Sequence, residues 1–577
     1  MGASRDSCGP RTILLKHFSF MVLIIMRATD ILQKRYLLPV ILVALLTPFS
    51  SSQTFAAPSL KKKVTIMCYM NGDNNLASEV LYAVDMMETV GSSQDVDIIA
   101  LVDGRPGENG GYGPQWEQTK LLYITKDEEI GVIKSRVIED MGEKNLGDPW
   151  VLKEFIKKSL EYPSDKYVFI LFSHGRGIIN PKSFADHGDY KSVFLSPDES
   201  GQRAMSHQEF TWAIKNGLSG EKFHLMLFFS CLTNMVEVGY GLQDLTEYMI
   251  GSEDEIRLVN NPPGTFQIRG IEPEKLIDRL SSNPDIPALE MGKVTIDPFI
   301  SQYEANINMQ HDDGKGFTVK YPATLALVNC QKYDRLSKSI DILSRYLIEK
   351  IMQNQSNKVV LATVHSALNA SQKYPSFLNL EYVDLHDFLE NLSYYSEDVR
   401  IKRLCQNSMD ILAHELILYE RHTDDRRSNG VSIFFPSFLV PENIYNSHMS
   451  MYRNSEFSRD TSWGELIDTY RVQMHQRYTE ILLDAYEQAW EKSDARTINS
   501  LRPKLSRELR KDLAKGKHGS VTKFLEIVEN MDKATIPKDF IQYLQEVSSL
   551  PENHRRVEND LLETVEGLLL SKSITDD

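Results

Sequence analysis

Cys231 and His174 are the two residues of this chain whose type and surroundings indicate covalent chemistry. Each comes just after an apolar run, 223–229 before the cysteine and 167–172 before the histidine. A thiol becomes a strong nucleophile when a nearby base removes its proton, and imidazole is the side chain that most often does so. The pair therefore indicates thiol-based nucleophilic catalysis, provided that the fold brings the two residues together.

The segments that carry these residues are predicted to be strands of one parallel sheet. Four apolar runs are typical of buried strands, and segments with helical signals lie between them. These runs are 63–70, 96–102, 167–172 and 223–229. Strands that alternate with helices predict a sheet covered on both faces, and right-handed crossovers place the C-terminal strand ends at one edge. Because open α/β sheets hold their ligands at that edge, we expect His174 and Cys231 to meet there.

Neighbouring residues indicate how the pair would work. Cys231 is predicted to begin a helix, whose positive N-terminal dipole would favour the thiolate. The small Gly175 would let a substrate backbone approach, and its amide and that of Cys231 could bind an oxyanion. The helix is predicted from the apolar positions Leu232, Met235, Leu242, Leu245 and Met249. The alternative is a buried core cysteine beside a capping histidine, and the residues alone leave both readings open.

The composition is that of a globular protein with an acidic net charge. The 577 residues are 42% hydrophobic and carry a formal charge of −16, so the chain can bury a large core and has no general attraction for nucleic acid. The basic stretch 502–518 is interpreted as a solvated helix face. Five cysteines without metal-ligand spacing do not make a disulfide scaffold.

The N-terminal segment is predicted to be a signal peptide. From Lys34, a basic start is followed by a short apolar run at 36–49 and by small residues that allow cleavage after Ala56. The chain is therefore expected to be exported, either to the periplasm or fully secreted, with a membrane attachment only if the segment stays uncleaved. A second apolar run at 18–26 precedes the signal, so we hypothesise that translation starts at Met26, which N-terminal sequencing of the precursor would test.

A series of short motifs runs along most of the chain. In the first half these are CYMNGDNNL at 68–76, VFILFSHGRG at 168–177, PDESGQRAMSHQEF at 197–210, FFSCLTNMVEVGYGL at 228–242 and GSEDE at 251–255. In the second half they are ATLALVNCQKYDRL at 323–336, YVDLHDF at 382–388, GVSIFFP at 430–436 and the segment 463–470. The series resembles the successive blocks of the clostripain family of cysteine peptidases, over about 63–470.

The resemblance implies both a fold and an activity. The family has a caspase-like α/β fold, and its members hydrolyse peptide bonds with a Cys/His dyad. Its histidine lies in a Ser-His-Gly block, which matches 173–175 here, and its cysteine block matches 229–233. The resemblance thus assigns the catalytic roles to His174 and Cys231 and implies an exported cysteine endopeptidase that acts on proteins or peptides.

Two accessory properties also follow from the resemblance. Members of the family can bind calcium, and they can cut themselves in the loop between the two catalytic strands, which here would be 176–204. The sequence itself requires no cofactor, and it leaves the metal ligands unknown. Asp186, His187 and Asp189 in this loop could ligate a metal, but loop acids are more simply interpreted as solvated.

One position departs from the family pattern. The family has an aspartate two residues before its cysteine, and this aspartate helps to bind an Arg or Lys side chain of the substrate; here the position is Phe229, followed by Ser230. Strand side chains alternate, so Phe229 should face the same way as Cys231, and both Phe229 and Ser230 are predicted to contact the substrate. Strict Arg/Lys specificity is therefore predicted to be lost. The alternative is that Phe229 only fills the core and another acid serves the pocket.

The chain is expected to comprise four regions. These are a signal peptide at 1–56, a catalytic domain at 57–310, a family-specific α+β region at 311–471 and a helical extension at 472–577. The fold class is thus α/β, a mostly parallel sheet flanked by helices, followed by an α+β region and a helical C-terminal extension. The altered residues before Cys231 leave one functional alternative, a catalytically silent scaffold that binds exported or host proteins.

Overall fold

The apolar runs predicted as strands form the middle of a nine-stranded sheet. The computed structural model describes residues 61–107, 110–178, 195–260, 266–310, 316–353, 357–375, 381–423, 427–492, 494–514 and 523–524. The strands are β1 Lys62–Asn71, β2 Val96–Asp103, β3 Thr119–Tyr123, β4 Arg136–Gly142, β5 Ser164–Phe172, β6 Leu195–Asp198, β7 Arg203–Met205, β8 Phe223–Phe229, β9 Thr246–Gly251, β10 Val259–Asn260, β11 Phe266–Ile268, β12 Ile307–Gln310, β13 Gly316–Val319, β14 Thr324–Asn329, β15 Lys373–Pro375, β16 Glu381–Asp384, β17 Ile417–His422 and β18 Ser432–Phe434.

The central sheet is parallel in the middle and antiparallel at both edges. Its order is β17-β14-β9-β8-β5-β1-β2-β3-β4. Parallel pairing joins β9, β8, β5, β1 and β2, whereas β14 and β17 on one side and β3 and β4 on the other pair antiparallel. The prediction of a mostly parallel sheet is confirmed. The remaining strands form the small sheets β6-β7, β10-β11, β12-β13 and β15-β16-β18.

Helices cover both faces of this sheet. Along β1, Ile66 and Cys68 join the apolar cluster beneath α1, α5 and α6, whereas Met67 and Tyr69 join the cluster beneath α2, α3 and α7. A strand buried on both faces requires this alternation. The helices are α1 Ala77–Glu88, α2 Pro149–Ser159, α3 His207–Leu218, α4 Val236–Leu242, α5 Pro273–Ser282, α6 Ala288–Glu304, α7 Tyr333–Met352, α8 Asn357–Ala370, α9 Leu385–Tyr395, α10 Val399–Ile411, α11 Glu442–Tyr452, α12 Glu456–Asp460, α13 Trp463–Glu491 and α14 Ala495–Ala514.

The sequence signals for helix starts are confirmed at α2 and α3, but the helix predicted after Cys231 is wrong. Asp148 caps α2 by accepting a hydrogen bond from the Trp150 amide, and Ser206 and Glu209 form a reciprocal capping box at α3. The long helix expected from Cys231 onward is wrong, because α4 begins only at Val236 and is followed by strand β9. A short buried strand and a helix segment share the same apolar composition, so periodicity could not separate them.

The segments after residue 310 complete the sheet and one layer of helices. Strands β14 and β17 extend the sheet beyond β9, so the sheet is continuous across the predicted boundary at 310. Helices α13 and α14 run to Ala514, as expected of a helical C-terminal extension. The predicted limits of the regions stay predictions, and the signal peptide at 1–56 and most of 515–577 lie outside the described residues. In the part of the chain that is described, no helix has the length and apolar character needed to span a bilayer.

Candidate active site

The two predicted catalytic residues emerge side by side from neighbouring strands. Strands β5 and β8 are parallel and in register, with Phe172 opposite Phe229 at their C-terminal ends. The Ser173 amide donates to the Phe229 carbonyl oxygen at 3.3 Å, which continues the pairing past the strand ends. His174 and Cys231, each two residues beyond its strand end, therefore leave the same edge of the sheet, as the strand pattern predicted.

Both residues line a cleft of about 460 Å³ at this edge. The cleft wall comes from both strand ends, from the segment after β1, from the segment after β9 and from Tyr321. Cys231 and His174 are each half-buried, and both line this cleft. The lining residues are Asn75, Leu76, Glu79, Phe172, Ser173, His174, Gly175, Arg176, Phe229, Ser230, Cys231, Leu232, Glu255, Ile256, Arg257, Leu258 and Tyr321. Every site residue predicted from the sequence thus lies in one cleft.

Asn75 holds the imidazole of His174. Its Oδ1 lies 2.6 Å from His174 Nε2. An amide oxygen can only accept, so this contact places the proton of the neutral ring on Nε2 and leaves Nδ1 as the basic nitrogen. The sequence analysis did not assign Asn75 to the site. Its position just after β1, at the same edge of the sheet, was the signal that could have identified it.

Burial favours the neutral form of both the Cys231 thiol and the His174 imidazole. Burial raises the pKa of Cys231 to about 11, and a hydrogen bond from the Ile256 amide to Sγ at 3.2 Å opposes this only in part. Burial lowers the pKa of His174 to about 4, and the nearby positive charge of Arg176 acts in the same direction. The expectation of a helix dipole that favours thiolate is wrong, because Cys231 lies in a turn rather than at a helix N-terminus.

Gly175 is required by a close approach between the two catalytic loops. A Cβ atom at this position would lie 2.2 Å from the Cys231 carbonyl oxygen and 2.5 Å from Ser230 Oγ. Within the chain, the backbone that comes close to Gly175 is therefore that of Cys231, and the approach of a substrate backbone stays a prediction. Among the described residues, neither the Gly175 amide nor the Cys231 amide donates a hydrogen bond, so both remain available within the cleft.

Phe229 forms part of the cleft floor. Its ring stacks on that of Phe172 with 3.8 Å between the centroids, and a side chain at Gly270 would collide with it. Only 4% of Phe229 is exposed. Two acids also line the cleft: Glu255, which pairs with Arg257 at 2.5 Å, and Glu79, which accepts a hydrogen bond from the Ser78 hydroxyl at 2.7 Å. The floor is thus aromatic, and the acidic groups belong to other parts of the wall.

A group of carboxylates near the cleft has the chemistry of a hard-cation site. Asp73, Glu143 and Asp198 each offer an oxygen within 4.8 Å of the others. An all-oxygen donor set fits calcium, the metal that the family resemblance implies. The loop acids Asp186, His187 and Asp189 lie outside the described residues.

The chain is similar to known proteins over most of its length. The model of the clostripain family matches residues 68–470. Clostripain from Hathewaya histolytica is 25% identical over 442 residues, which cover 71% of this chain and 81% of that protein. A secreted C11 cysteine protease from Bacteroides thetaiotaomicron, solved with an irreversible peptide inhibitor, is 17% identical and covers 71% of this chain and 99% of its own, with a TM-score of 0.47.

A second solved structure shows a similar extent of likeness. An inactive zymogen C11 protease from Parabacteroides distasonis is 17% identical and covers 70% of this chain and 98% of its own, with a TM-score of 0.47. The family match spans well over half of the chain and includes both strand ends that line the cleft. The chain therefore belongs to the clostripain family, and it is a cysteine peptidase whose substrates are proteins or peptides.

Proposed function

We propose that this protein is an exported endopeptidase in which Cys231 is the nucleophile and His174 is the acid–base partner. The observation that carries the proposal is the emergence of both side chains from paired strand ends into one open cleft. Of the described cysteines, Cys231 is half-buried, whereas Cys68, Cys330 and Cys405 are fully buried. A thiol that must meet a protein substrate has to be reachable, and Cys231 satisfies that requirement.

The first half of the reaction transfers an acyl group to sulfur. His174 Nδ1 takes the proton of the Cys231 thiol while the sulfur attacks the scissile carbonyl carbon. The amides of Gly175 and Cys231, which both line the cleft, would donate to the oxyanion that forms. When the tetrahedral intermediate collapses, the carbon–nitrogen bond breaks, and the imidazolium gives its proton to the departing amine. The enzyme is left as a thioester with a neutral imidazole.

The second half restores the thiol. Neutral His174 removes a proton from water, which attacks the thioester carbonyl carbon, and the sulfur leaves as the carboxylic acid forms. The proton then returns from the imidazolium to sulfur. Asn75 supports both halves as a positioning residue, because its Oδ1 accepts from Nε2 and keeps the basic nitrogen at Nδ1. Its hydrogen bond also gains strength whenever the ring becomes positively charged.

Labelling with a thiol-reactive acyl probe separates an enzyme from a silent scaffold. The probe is expected to modify Cys231 selectively, with peptide mapping by mass spectrometry as the readout, because Cys68, Cys330 and Cys405 are fully buried. The Cys231→Ala chain is the matched control and should remain unlabelled. Absence of labelling in the parent chain would instead support the scaffold, whose helical tail would bind exported or host proteins.

The rate of simple alkylation should depend steeply on pH. With a thiol pKa of about 11, the thiolate fraction rises tenfold per pH unit through the neutral range. Alkylation of Cys231 by iodoacetamide is therefore expected to accelerate about 10-fold per unit from pH 7 to pH 9. The low pKa of His174, about 4, keeps the ring neutral throughout this range. A rate that is constant between these pH values would indicate a preformed thiolate–imidazolium pair and contradict the neutral dyad.

Substrate selection is proposed to differ from strict Arg/Lys specificity. The floor of the cleft is the stacked pair of Phe172 and Phe229, which offers apolar contact but no carboxylate for a cation. A peptide library should therefore show a preference of about 10-fold for apolar or small residues at the position before the cut. The readout is the residue distribution at the cleavage sites.

A charge-neutral variant tests the alternative that an acid of the wall binds basic side chains. Glu79→Gln keeps the size of the side chain and removes its charge, and Glu79 is one of the two acids that line the cleft. If Phe229 sets the preference, this variant should change the library profile by no more than about 3-fold. Exclusive cleavage after Arg or Lys in the parent chain, lost in Glu79→Gln, would contradict the role assigned to Phe229.

Export and self-cleavage are further parts of the proposal. The predicted signal peptide at 1–56 supports export to the periplasm or the medium. The described parts of the loop 176–204 reach the cleft, because Arg176 lines it and Leu195 bridges to Gly175, and this supports self-cleavage in the loop. N-terminal sequencing of the secreted chain should give one start near 57 and a second within this loop. A second start that persists in the Cys231→Ala chain would exclude self-cleavage.

A further inference from the structure

Four side chains with metal-binding groups line a cavity that is separate from the catalytic cleft. The cavity has a volume of about 430 Å³, and none of its lining residues also lines the cleft. Its wall comes from helices α9 and α10 and from the turn after α10. We call the four residues the interhelical ligand set: His386, Glu390, Asp410 and His414.

Helical spacing explains why the members of this set come in pairs. His386 and Glu390 lie four residues apart on α9. Asp410 and His414 are likewise four apart, at the end of α10 and in the π-helical turn Leu412–Leu416 that follows it. Residues at this spacing lie on the same side of a helix, so each pair brings one imidazole and one carboxylate to the cavity. A π-helical turn is rare and frequently marks a functional site.

Both imidazoles have a nitrogen available for a metal. His414 Nδ1 lies 3.1 Å from the Asp410 carbonyl oxygen. Because a carbonyl oxygen only accepts, the neutral ring carries its proton on Nδ1 and its lone pair on Nε2. Histidines that bind metals commonly donate their other ring N–H to a carbonyl oxygen in this way. His386 forms no hydrogen bond with a described residue and its Nδ1 is buried, so its Nε2 is the atom that can bind an ion.

Neither carboxylate of the set is paired with a cation of the described chain. Glu390 and Asp410 are exposed, and they take part in no ion pair among the described residues. Asp410 Oδ1 accepts a hydrogen bond from Gln406 Nε2 at 2.9 Å, which leaves Oδ2 available. The cavity wall contains no lysine or arginine. The set therefore offers two negative charges and two imidazole nitrogens to a cation.

We propose that the interhelical ligand set binds one zinc ion. Two nitrogen and two oxygen donors can complete the tetrahedral shell that structural zinc sites prefer. Calcium and magnesium favour shells made of oxygen alone, so the two imidazoles select against them. Copper(II) and nickel(II) favour planar arrangements, which two pairs of side chains from separate helices do not readily provide.

Binding requires the four side chains to close around the ion. Among the described residues, no three members of the set have ligand atoms within 4.8 Å of one another. Glu390, Asp410 and His414 are exposed, so they can move between rotamers without disturbing the packed helices. His386 is half-buried at the start of α9 and is the fixed ligand toward which the others turn.

The ion would fix the start of α9 against the end of α10. This contact matters because Tyr382, four residues before His386, donates its hydroxyl to the Arg176 carbonyl oxygen at 3.2 Å. Arg176 lines the catalytic cleft. Zinc would therefore stabilise a segment that supports the loop after His174, without itself contacting the substrate.

Direct binding tests the site independently of peptidase activity. The chain that lacks residues 1–56 and carries Cys231→Ala offers zinc no reachable thiol, because Cys68, Cys330 and Cys405 are buried. Stripped with a chelator and titrated with ZnCl₂ in a calorimeter, it should bind one zinc with a dissociation constant below about 10 µM. Its melting temperature should rise by about 2 °C or more at saturation. Excess CaCl₂ should change the dissociation constant by no more than about 2-fold, and cobalt(II) should show the visible absorption of tetrahedral coordination.

Variants of exposed members of the set locate the ion. His414→Ala should raise the dissociation constant for zinc at least about 100-fold, and Asp410→Asn at least about 10-fold. Because both residues are exposed, the metal-free variants should melt close to the metal-free parent. His224→Ala is the matched control, since it removes an imidazole that pairs with Glu247 outside the cavity, and it should leave zinc binding unchanged.

Three results would each overturn the proposal. They are a parent chain that binds no zinc below about 10 µM, zinc binding that survives His414→Ala, and an equal loss of binding in the His224→Ala control. None of them depends on whether the chain cleaves peptides, because every tested chain lacks the Cys231 thiol.

Discussion

Replacing Cys231 with alanine should lower kcat/KM for peptide hydrolysis by about 10⁴-fold or more. The methyl group cannot form the thioester, and the other parts of the site retain only the modest catalysis that binding and oxyanion stabilisation provide. The measurement is cleavage of a peptide pool by the purified chain lacking residues 1–56. The melting temperature should remain close to that of the parent, because Cys231 is half-buried and removing its sulfur leaves only a small space.

Cys405→Ala is the matched control for this substitution. Cys405 is a free cysteine in α10 that does not line the cleft, so the same atom is removed from a site without a proposed role. Its activity should stay within about 2-fold of the parent. If the Cys231→Ala chain cleaved peptides at the parental rate, the assignment of the nucleophile would be wrong, whatever the control showed.

The proposed catalytic pair could be located from the sequence because its position depends on a general property of parallel sheets. Residues that follow buried parallel strands emerge at one edge, so the runs before His174 and Cys231 were enough to bring the two together. The predicted charge of Cys231, in contrast, was wrong. The expected thiolate required a helix at Cys231, whereas a turn follows and burial raises the thiol pKa instead.

Asn75 and the carboxylate cluster were beyond sequence reasoning for a different reason. Their roles depend on contacts between the segment after β1 and the β6-β7 hairpin, which are more than a hundred residues apart along the chain. Asn71 Nδ2 donates to Ser196 Oγ, and Asn74 Nδ2 donates to the Pro197 carbonyl oxygen. No periodicity or spacing within either segment records such a contact. A single sequence therefore pointed to the proposed pair, Cys231 and His174, but to neither the Asn75 contact with His174 nor the three clustered carboxylates.

Substitution of Gly175 by alanine should damage both stability and catalysis. The added Cβ would lie 2.2 Å from the Cys231 carbonyl oxygen, which is far inside van der Waals contact and involves backbone that cannot rotate away. The two catalytic loops must separate, at a cost of about 3 kcal/mol in the free energy of unfolding. Because a shift of about 1 Å between reacting groups can cost 10²-fold, we expect kcat/KM to fall by about 100-fold or more. Thermal unfolding and peptide hydrolysis measure the two effects.

Two companion variants test whether contact between the added Cβ and the Cys231 carbonyl oxygen causes the loss of stability and activity. Ser173→Ala removes a hydroxyl that has no partner among the described residues, so it should leave the melting temperature nearly unchanged. Ser230→Ala combined with Gly175→Ala removes the second contact, at 2.5 Å, but leaves the closer one with the Cys231 carbonyl oxygen. The double variant should therefore remain as unstable and inactive as the single one. Recovery of activity in the double variant would mean that the Ser230 side chain, rather than the backbone of the nucleophile, sets the requirement for glycine.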